Sequence, residues 1–542
     1  MTSSPFSVPA DASVALGAAF LSHPEAPCFI PEDFNAEARL MADLAQQFSR
    51  EHVIPRAHEL DAQSVGLMPS LIRRAGDQGF CGLDAPEAYG GLGLSTNVAA
   101  RVLEFLSLNA SFSVTVGISS GISQVGLKLF GTPEQCAKYL PPLTAGTQIG
   151  AYALSEPNSG TDALSLRTRA DERDGKWILN GTKMWISNAQ WADQFLVMAK
   201  VGGEQLAAFV VERSTPGLQI TREEHKMGLK GSSTARVVLE NAEVPLENLL
   251  HEPGKGHQVA FNALNLGRFK LAAMSIGPAR EAIHQAAIYA QDRRQFGQPI
   301  GDFGLIREKF AAMAARYWAA ESVTYRTGAL VDAAFARYAT PEAGLAGRLR
   351  AAEAIAVECS LSKVLATEAE AFIVDEALQV FGGYGFTEEF PMARLYRDAR
   401  VSRIYEGTNE INRVFVADRW ARRVREGTAD LTVRDEGFVP DLLQRAFAEV
   451  GEAWIAGQLP QVAMGALTDL LMLAYTAQSS RIRASRTGAM GEALDAQLRT
   501  WLVPAAATAA QRLIRDSITL PPMPIPDRDA IAEAIYQANG LR

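Results

Sequence analysis

The sequence predicts an α+β protein with four parts: an N-terminal α-helical domain (1–150), a middle β-domain (151–252), a four-helix-bundle-like domain (253–428) and an extra C-terminal helical domain (429–542). Three observations predict this. Apolar residues recur at helical spacing before about residue 150 and alternate with polar ones over the next hundred or so. Asp-Gly and Asn-Gly pairs punctuate the alternating stretch, as hairpin turns do. The helical period then returns, breaks near residue 428 and resumes. At 542 residues the chain exceeds what one core can organise.

The elements follow in order. Residues 1 to about 35 are rich in Ser, Pro and Ala and read as a loosely held arm. Leu40, Met41, Leu44, Phe48 and Val53 mark the apolar face of a first helix that ends near Pro55. Gly79 to Gly93 is a Gly- and Pro-rich connection, and helices resume after Ser95. Gly117 and Gly121 lie where a helix is expected, although Gly costs about 1 kcal/mol there against Ala. Close helix packing and removal of bulk to admit a long ligand both account for them. In the β-domain the runs Lys176–Asn180, Phe195–Lys200, Leu206–Val211 and Val237–Glu240 read as strands, with turns at Asp174-Gly175 and Asn180-Gly181. His257 to about Arg425 is Ala-rich and helical, as in a bundle. Leu443, Phe447, Val450 and Trp454 mark a further helix. Val462–Arg486 and Ala493–Ile518 suggest two more, the second interrupted or kinked at Pro504, before a Pro-rich stop at Leu520–Pro526.

The totals exclude several classes. A net charge of −9 leaves no cationic surplus for a nucleic-acid partner. Cys28, Cys81, Cys136 and Cys359 are scattered, with no C-x-x-C pair, so neither a metal site nor a disulfide framework is expected. That usage suits a reducing cytoplasm. The N-terminus has no basic segment followed by an apolar core, so no secretory leader is expected. No apolar stretch has the length of a membrane span.

The chemistry centres on Arg403-Ile-Tyr-Glu-Gly-Thr-Asn-Glu-Ile-Asn-Arg413. Glu406 stands on a Gly turn, and Thr408 and Asn409 offer caps for a helix beginning near Ile411. A helix start aims free backbone N–H groups at whatever lies in front of it. Taken alone, the run reads as an ordinary solvated turn. Likewise Ser155–Asp162 is a weak cofactor-loop signal, Trp185 could be a core aromatic, and Arg293-Arg294 could be a solvated helix end.

Together, Ala153–Asp162, Gln379–Phe386 and Arg403–Arg413 resemble, in this order, the acyl-CoA dehydrogenase family over residues 40 to 430. The resemblance implies FAD as cofactor and Glu406 as the catalytic base. It assigns Tyr152, Leu154, Ser155, Gly160 and Thr161 to the flavin and pyrophosphate, Thr161 also lying near substrate. Trp185 and Ser187 would lie against the flavin ring. Arg293, Phe296, Gln379, Gly382 and Gly383 would reach the FAD of a neighbouring subunit. Thr408 contacts the flavin, as does Glu410, a position where relatives often carry Gln. Asn265, Arg268 and Gly407 belong to the substrate region. Gly267 occupies a position where some relatives place the base, so Glu406 has no rival there. The C-terminal extension resembles that of the very-long-chain members, which are dimers. Its amphipathic helices would cover a subunit core or touch a membrane surface.

The implied reaction is α,β-dehydrogenation of an acyl-CoA to trans-2-enoyl-CoA, with long chains favoured. Electrons would pass to electron-transferring flavoprotein. An acyl-CoA oxidase using oxygen and a non-catalytic flavoprotein on the same scaffold are the alternatives.

Overall fold

The computed structural model describes residues 19–22, 28–429 and 431–517. The Pro-rich stretch Leu520–Pro526 lies outside the described residues. Helices of eight or more residues are numbered below.

The N-terminal helices are α1 (Ala36–Phe48), α2 (Leu67–Asp77), α3 (Thr96–Leu106), α4 (Ala110–Gly117), α5 (Ser123–Phe130) and α6 (Pro133–Thr144). α1 starts where Asn35 accepts a bond from Ala38 N, a standard Asn cap. Its buried face matches the expected one at Phe48 and, beyond its end, at Val53, and differs at the leucines. Ala38, Ala42, Ala45 and Phe48 face inward, whereas Leu40 is 60% and Leu44 47% exposed. Small residues let α1 approach α3 closely, and this outweighs the size of the leucines. The described part of the N-terminal arm (19–22 and 28–35) also differs from expectation, and the rest of it lies outside the described residues. Phe20 and Leu21 are buried among the C-terminal helices, and Leu21 O accepts from Arg434 N.

Between α4 and α5 a π-turn spans Ile118–Ile122. A Cβ at Gly117 would come within 2.9 Å of Met274 Sδ, and one at Gly126 within 2.6 Å of Leu196 Cδ2. Packing therefore accounts for both glycines. At Gly121 a Cβ would find only the Lys270 stem, at 3.5 Å.

The middle region carries β1 (Gly150–Ala153), β2 (Arg169–Arg173), β3 (Lys176–Ser187), β4 (Gln194–Val201), β5 (Gln205–Glu212), β6 (Leu218–Glu223), β7 (Thr234–Pro245) and β8 (Leu249–Leu250). They order as β6-β7-β3-β2-β4-β5-β8, with β1 parallel to β4. Asp174 and Gly175, both at positive φ, close the β2–β3 hairpin as expected. Asn180-Gly181 is not a turn. It is a bulge within β3, where the register against β7 slips between Leu179 and Gly181. Gly181 presses on Thr168 so closely that no Cβ would fit.

The third part holds α7 (Gly256–Asp292), a hairpin of β9 (Arg294–Gln295) and β10 (Gln298–Pro299), α8 (Gly304–Tyr338), α9 (Gly344–Ala354), α10 (Ala356–Phe381), α11 (Pro391–Ala399) and α12 (Asn409–Arg425). α7, α8 and α10 pack lengthwise on one another. Three helices follow: α13 (Phe438–Ile455), α14 (Gln461–Thr487) and α15 (Ala489–Ser517). α15 runs through Pro504 without the expected interruption. Leu443, Phe447, Val450 and Trp454 of α13 and Leu467, Leu471 and Tyr475 of α14 share one apolar cluster with Ala319 and Val323 of α8 and Trp420 of α12. The C-terminal helices thus cover the bundle rather than stand apart. No described helix is long and apolar enough to cross a membrane. All four cysteines are buried free thiols.

Candidate active site

A turn on the bundle rim presents Glu406. The chain leaves α11, passes a short 3-10 turn (Arg400–Arg403), and swings through Glu406 at φ 57° and Gly407 at φ 81° before α12 begins. A glutamate in the left-handed region is strained and needs external support. The support is dense. Arg268 Nε of α7 donates to Glu406 O at 3.2 Å, and Lys363 Nζ of α10 donates to Gly407 O at 3.0 Å. The Asn412 amide spans the Glu406, Gly407 and Thr408 carbonyls at 3.4, 2.8 and 3.0 Å. Thr408 Oγ1 accepts from Ile411 N, the expected cap, with α12 starting two residues earlier than expected. With every carbonyl of the turn held, the Glu406 N–H still makes no hydrogen bond among the described residues.

The carboxylate sits against the bare backbone of Gly267. A Cβ there would lie 2.9 Å from Glu406 Oε2, so a side chain at 267 would evict it. The residue is partly open to solvent, yet Oε2 is closed off and has no partner. Burial pushes the carboxyl up to about 7, while Arg268 and then Lys363 pull it down. The Tyr152 hydroxyl is another enclosed, unpartnered atom, held above its usual range by burial and then by the Glu406 charge. Arg268 is itself fixed by Asn265 Oδ1 at 3.0 Å and Ser360 Oγ at 3.4 Å, and it stacks on Phe415. Asn265 is buried, its oxygen engaged by Arg268.

The 153–162 loop forms an adjoining wall on the β-domain. A buried ion pair shapes it. Lys183 Nζ donates to Glu156 Oε1 at 2.7 Å and to Leu154 O at 3.2 Å. Glu156 also accepts from Arg167 N, Thr168 N and Thr168 Oγ1, and these bonds with Lys183 hold its carboxyl below the usual range. Met184 N donates to Ser155 O at 2.9 Å. Gly160 and Thr161 are exposed, and nothing stands within 4 Å of a Cβ built on Gly160. Next to this loop β3 bulges between Lys183 and Ile186, turning Trp185 to φ 58° and leaving it 57% exposed. Ser187 follows at the strand end, half-buried.

The remaining expected residues form a separate cluster. Phe296, at φ 51° and 94% exposed, tips the β9–β10 hairpin. Arg293 lies over the Tyr384 ring, and Tyr289 stacks on Phe381 at 4.2 Å. Gln379, Gly382 and Gly383 are exposed beside them, with open space at both glycines. Glu410 is exposed in the first turn of α12.

Sequence reading missed Lys363 and the Glu156–Lys183 pair, and it gave Asn412 no role. Lys363 carried a signal, as the lone charge in the run Ser360-Leu-Ser-Lys-Val-Leu-Ala-Thr367. The others pair residues far apart in the chain, or use a side chain on its own helix start, and neither leaves a pattern.

Comparison with known proteins accords with this geometry. Family descriptions match as the acyl-CoA dehydrogenase N-terminal domain over 35–147, the middle domain over 151–242 and the C-terminal domain over 254–421. A Bacillus subtilis (strain 168) protein named probable acyl-CoA dehydrogenase is 41% identical over 446 residues, 80% of this chain and 75% of that protein. The human very long-chain specific acyl-CoA dehydrogenase, mitochondrial, is 40% identical over 351 residues, 62% of this chain, and the match spans about half of that protein's length (51%). The crystal structure of an acyl-CoA dehydrogenase complexed with FAD from Bacillus anthracis aligns with a TM-score of 0.86 at 35% identity, covering 97% of this chain and 99% of that one. This chain belongs to the acyl-CoA dehydrogenase family, oxidoreductases that act on CH–CH bonds.

Proposed function

We propose that the protein uses FAD to convert an acyl-CoA thioester to its trans-2-enoyl-CoA, with Glu406 as the base that takes the α-proton. One observation carries the reading: Glu406 keeps an enclosed Oε2 with no partner and a carboxyl pushed up to about 7, on a turn braced from three helices. A base is most effective when its pKa lies near working pH. Burial supplies the rise and Arg268 limits it.

The α-hydrogen of a saturated thioester is a weak acid, so the charge growing on the carbonyl oxygen needs donors in place beforehand. The unengaged Glu406 N–H is one such donor. Because Arg268 and Lys363 fix the turn's carbonyls, little backbone motion is needed to bring it into use. Gly407 lets the thioester approach the backbone, and Asn265 keeps Arg268 aimed at the turn.

The residues fit a flavin. An exposed indole at positive φ (Trp185), an open Gly160, the Ser187 hydroxyl and the enclosed Tyr152 hydroxyl frame the space next to the base. Bound there, FAD would accept the β-hydrogen as hydride. Tyr152, Leu154, Ser155, Thr161, Thr408 and Glu410 would line its ring and ribityl side. Arg293, Phe296, Gln379, Gly382 and Gly383, a cluster of their own, would serve the FAD of a second copy, Arg293 at the pyrophosphate. That arrangement calls for a homodimer. Electron-transferring flavoprotein would be the acceptor, in a cytoplasmic enzyme of fatty acid β-oxidation.

Long acyl chains are favoured by Gly121, where only the flexible Lys270 stem stands near, and by the helical extension, while Gly117 no longer supports them because Met274 fills its space. Anaerobic titration of the flavoprotein with short-, medium- and long-chain saturated acyl-CoAs tests the reading. Bleaching that peaks with long chains is expected. Flavin that no acyl-CoA bleaches would overturn the dehydrogenase assignment. Bleaching by short chains alone would overturn the chain-length assignment. Rapid reoxidation in air would mark an oxidase instead.

A further inference from the structure

Lys363 is buried to 0% exposure in the N-terminal third of α10, in a run with the buried Leu361, Val364 and Leu365. An ammonium is costly to bury, and it persists there only where fixed partners replace water. Its partners are the active-site turn itself. Nζ donates to Gly407 O at 3.0 Å and to Asn409 Oδ1 at 2.6 Å. The Asn409 amide reaches back to Thr367 Oγ1 and Glu368 Oε1, each at 3.1 Å. A single lysine therefore ties the core of α10 to the turn and to the first residue of α12. Arg268 does the same from α7, one carbonyl earlier.

We propose that Lys363 is a positioning residue for the reaction: it holds the Gly407 carbonyl and Asn409 so that the Glu406 turn keeps its left-handed form, and its charge beside the carboxylate favours the ionised, proton-accepting state. The inference rests on Glu406 being the base. The groups acting on this pair are Arg268 from α7, Tyr152 from β1, Glu368 from α10 and Glu410 from α12. Burial pulls Lys363 down to about 7, with Glu406 the strongest opposing influence. The two groups titrate over one range, and the ionisation of each favours that of the other.

Three substitutions separate geometry from charge. Lys363→Met removes both bonds and the charge. It should slow anaerobic flavin reduction per bound FAD by about 10–100-fold with little change in the half-saturating acyl-CoA concentration. The pH midpoint of that rate should also move up by about one unit. Lys363→Gln keeps a donor and should recover part of the rate while keeping the raised midpoint. Lys363→Arg keeps the charge and should return the midpoint toward wild type. A second readout needs no turnover. An acyl-CoA with sulfur in place of the β-methylene cannot give up a hydride but can lose its α-proton to the base. The pH midpoint of the resulting long-wavelength flavin absorbance should rise in the Met and Gln variants. If Lys363→Met fails to fold, the Gln and Arg variants decide the matter. Wild-type midpoints and rates per bound FAD in these variants, with only a lower unfolding temperature, would reduce Lys363 to a packing residue. Glu406→Gln serves as the control. If it reduces flavin at the wild-type rate, the base assignment fails; if it is inert while the Lys363 variants behave as wild type, only this inference fails.

Discussion

At the scale of single residues, burial raises those acids that no cation fully offsets. Glu406 is one case, and Glu370 is a second, to which no part in the reaction is assigned. Glu370 lies at a cavity of about 10 Å³ with Ser275, Asp398, Ser402 and Tyr405. Burial pushes it up to about 8, and its Oε2 has no partner. A carboxyl raised in the folded state favours folding at pH below its unfolded value, about 4.3. That advantage is lost as pH climbs through the folded value. Wild-type stability should therefore fall with pH relative to Glu370→Gln, by about 1 kcal/mol per pH unit between pH 5 and 8. Denaturant unfolding of both proteins across that range checks this, and parallel curves would contradict it. The sequence announced Glu406 by the company of Gly407, Thr408 and Asn409. It was silent about Glu370, since burial is a property of the assembled helices and not of neighbours in the chain.

At the scale of elements, close approach explains where the sequence misled. α1 buries its alanines and exposes Leu40 and Leu44 because short side chains allow nearer packing than the leucines would. Asn180-Gly181 carries a turn signature, yet the pair bulges within β3 because Gly181 must clear Thr168. Gly277 in α7 follows the same rule. A Cβ there would run into the Glu104 carbonyl oxygen of α3 and lie 2.9 Å from Ser107 Cβ. Backbone atoms cannot step aside as a side-chain end can. Helix propensity alone would make Gly277→Ala stabilising by about 1 kcal/mol. Packing predicts the opposite sign, a loss of about 2–3 kcal/mol. Thermal or chemical unfolding of the variant distinguishes the two.

At the scale of the whole molecule, the order of helices, sheet and helices was legible because the hydrophobic period changes twice. The docking of Phe20, Leu21 and Glu32 on the C-terminal helices was not, because it rests on contacts between residues hundreds of positions apart. Arg483 of α14 binds Glu32 and Glu321, each at 2.7 Å, and lies 3.7 Å from the Trp318 ring centre. Arg101 and Arg280 join Glu321 from α3 and α7. One ionic cluster therefore locks the arm, the N-terminal helices, the bundle and the C-terminal helices together. Arg483→Met should cost about 2–3 kcal/mol, less than a fully isolated buried pair because two arginines still neutralise Glu321. Amide exchange should quicken in α14 and around Glu32. Unchanged protection there would show that the apolar cluster alone holds these segments.

The whole scaffold converges on one carboxylate, and the most direct measurement is the anaerobic rate of flavin reduction by acyl-CoA in Glu406→Gln. The variant keeps the size of the side chain and removes its basicity. It should fold, bind FAD and bind acyl-CoA as the wild type does, while reduction slows by about 10²–10⁴-fold or more. Reduction at the wild-type rate would contradict the assignment and place the base elsewhere.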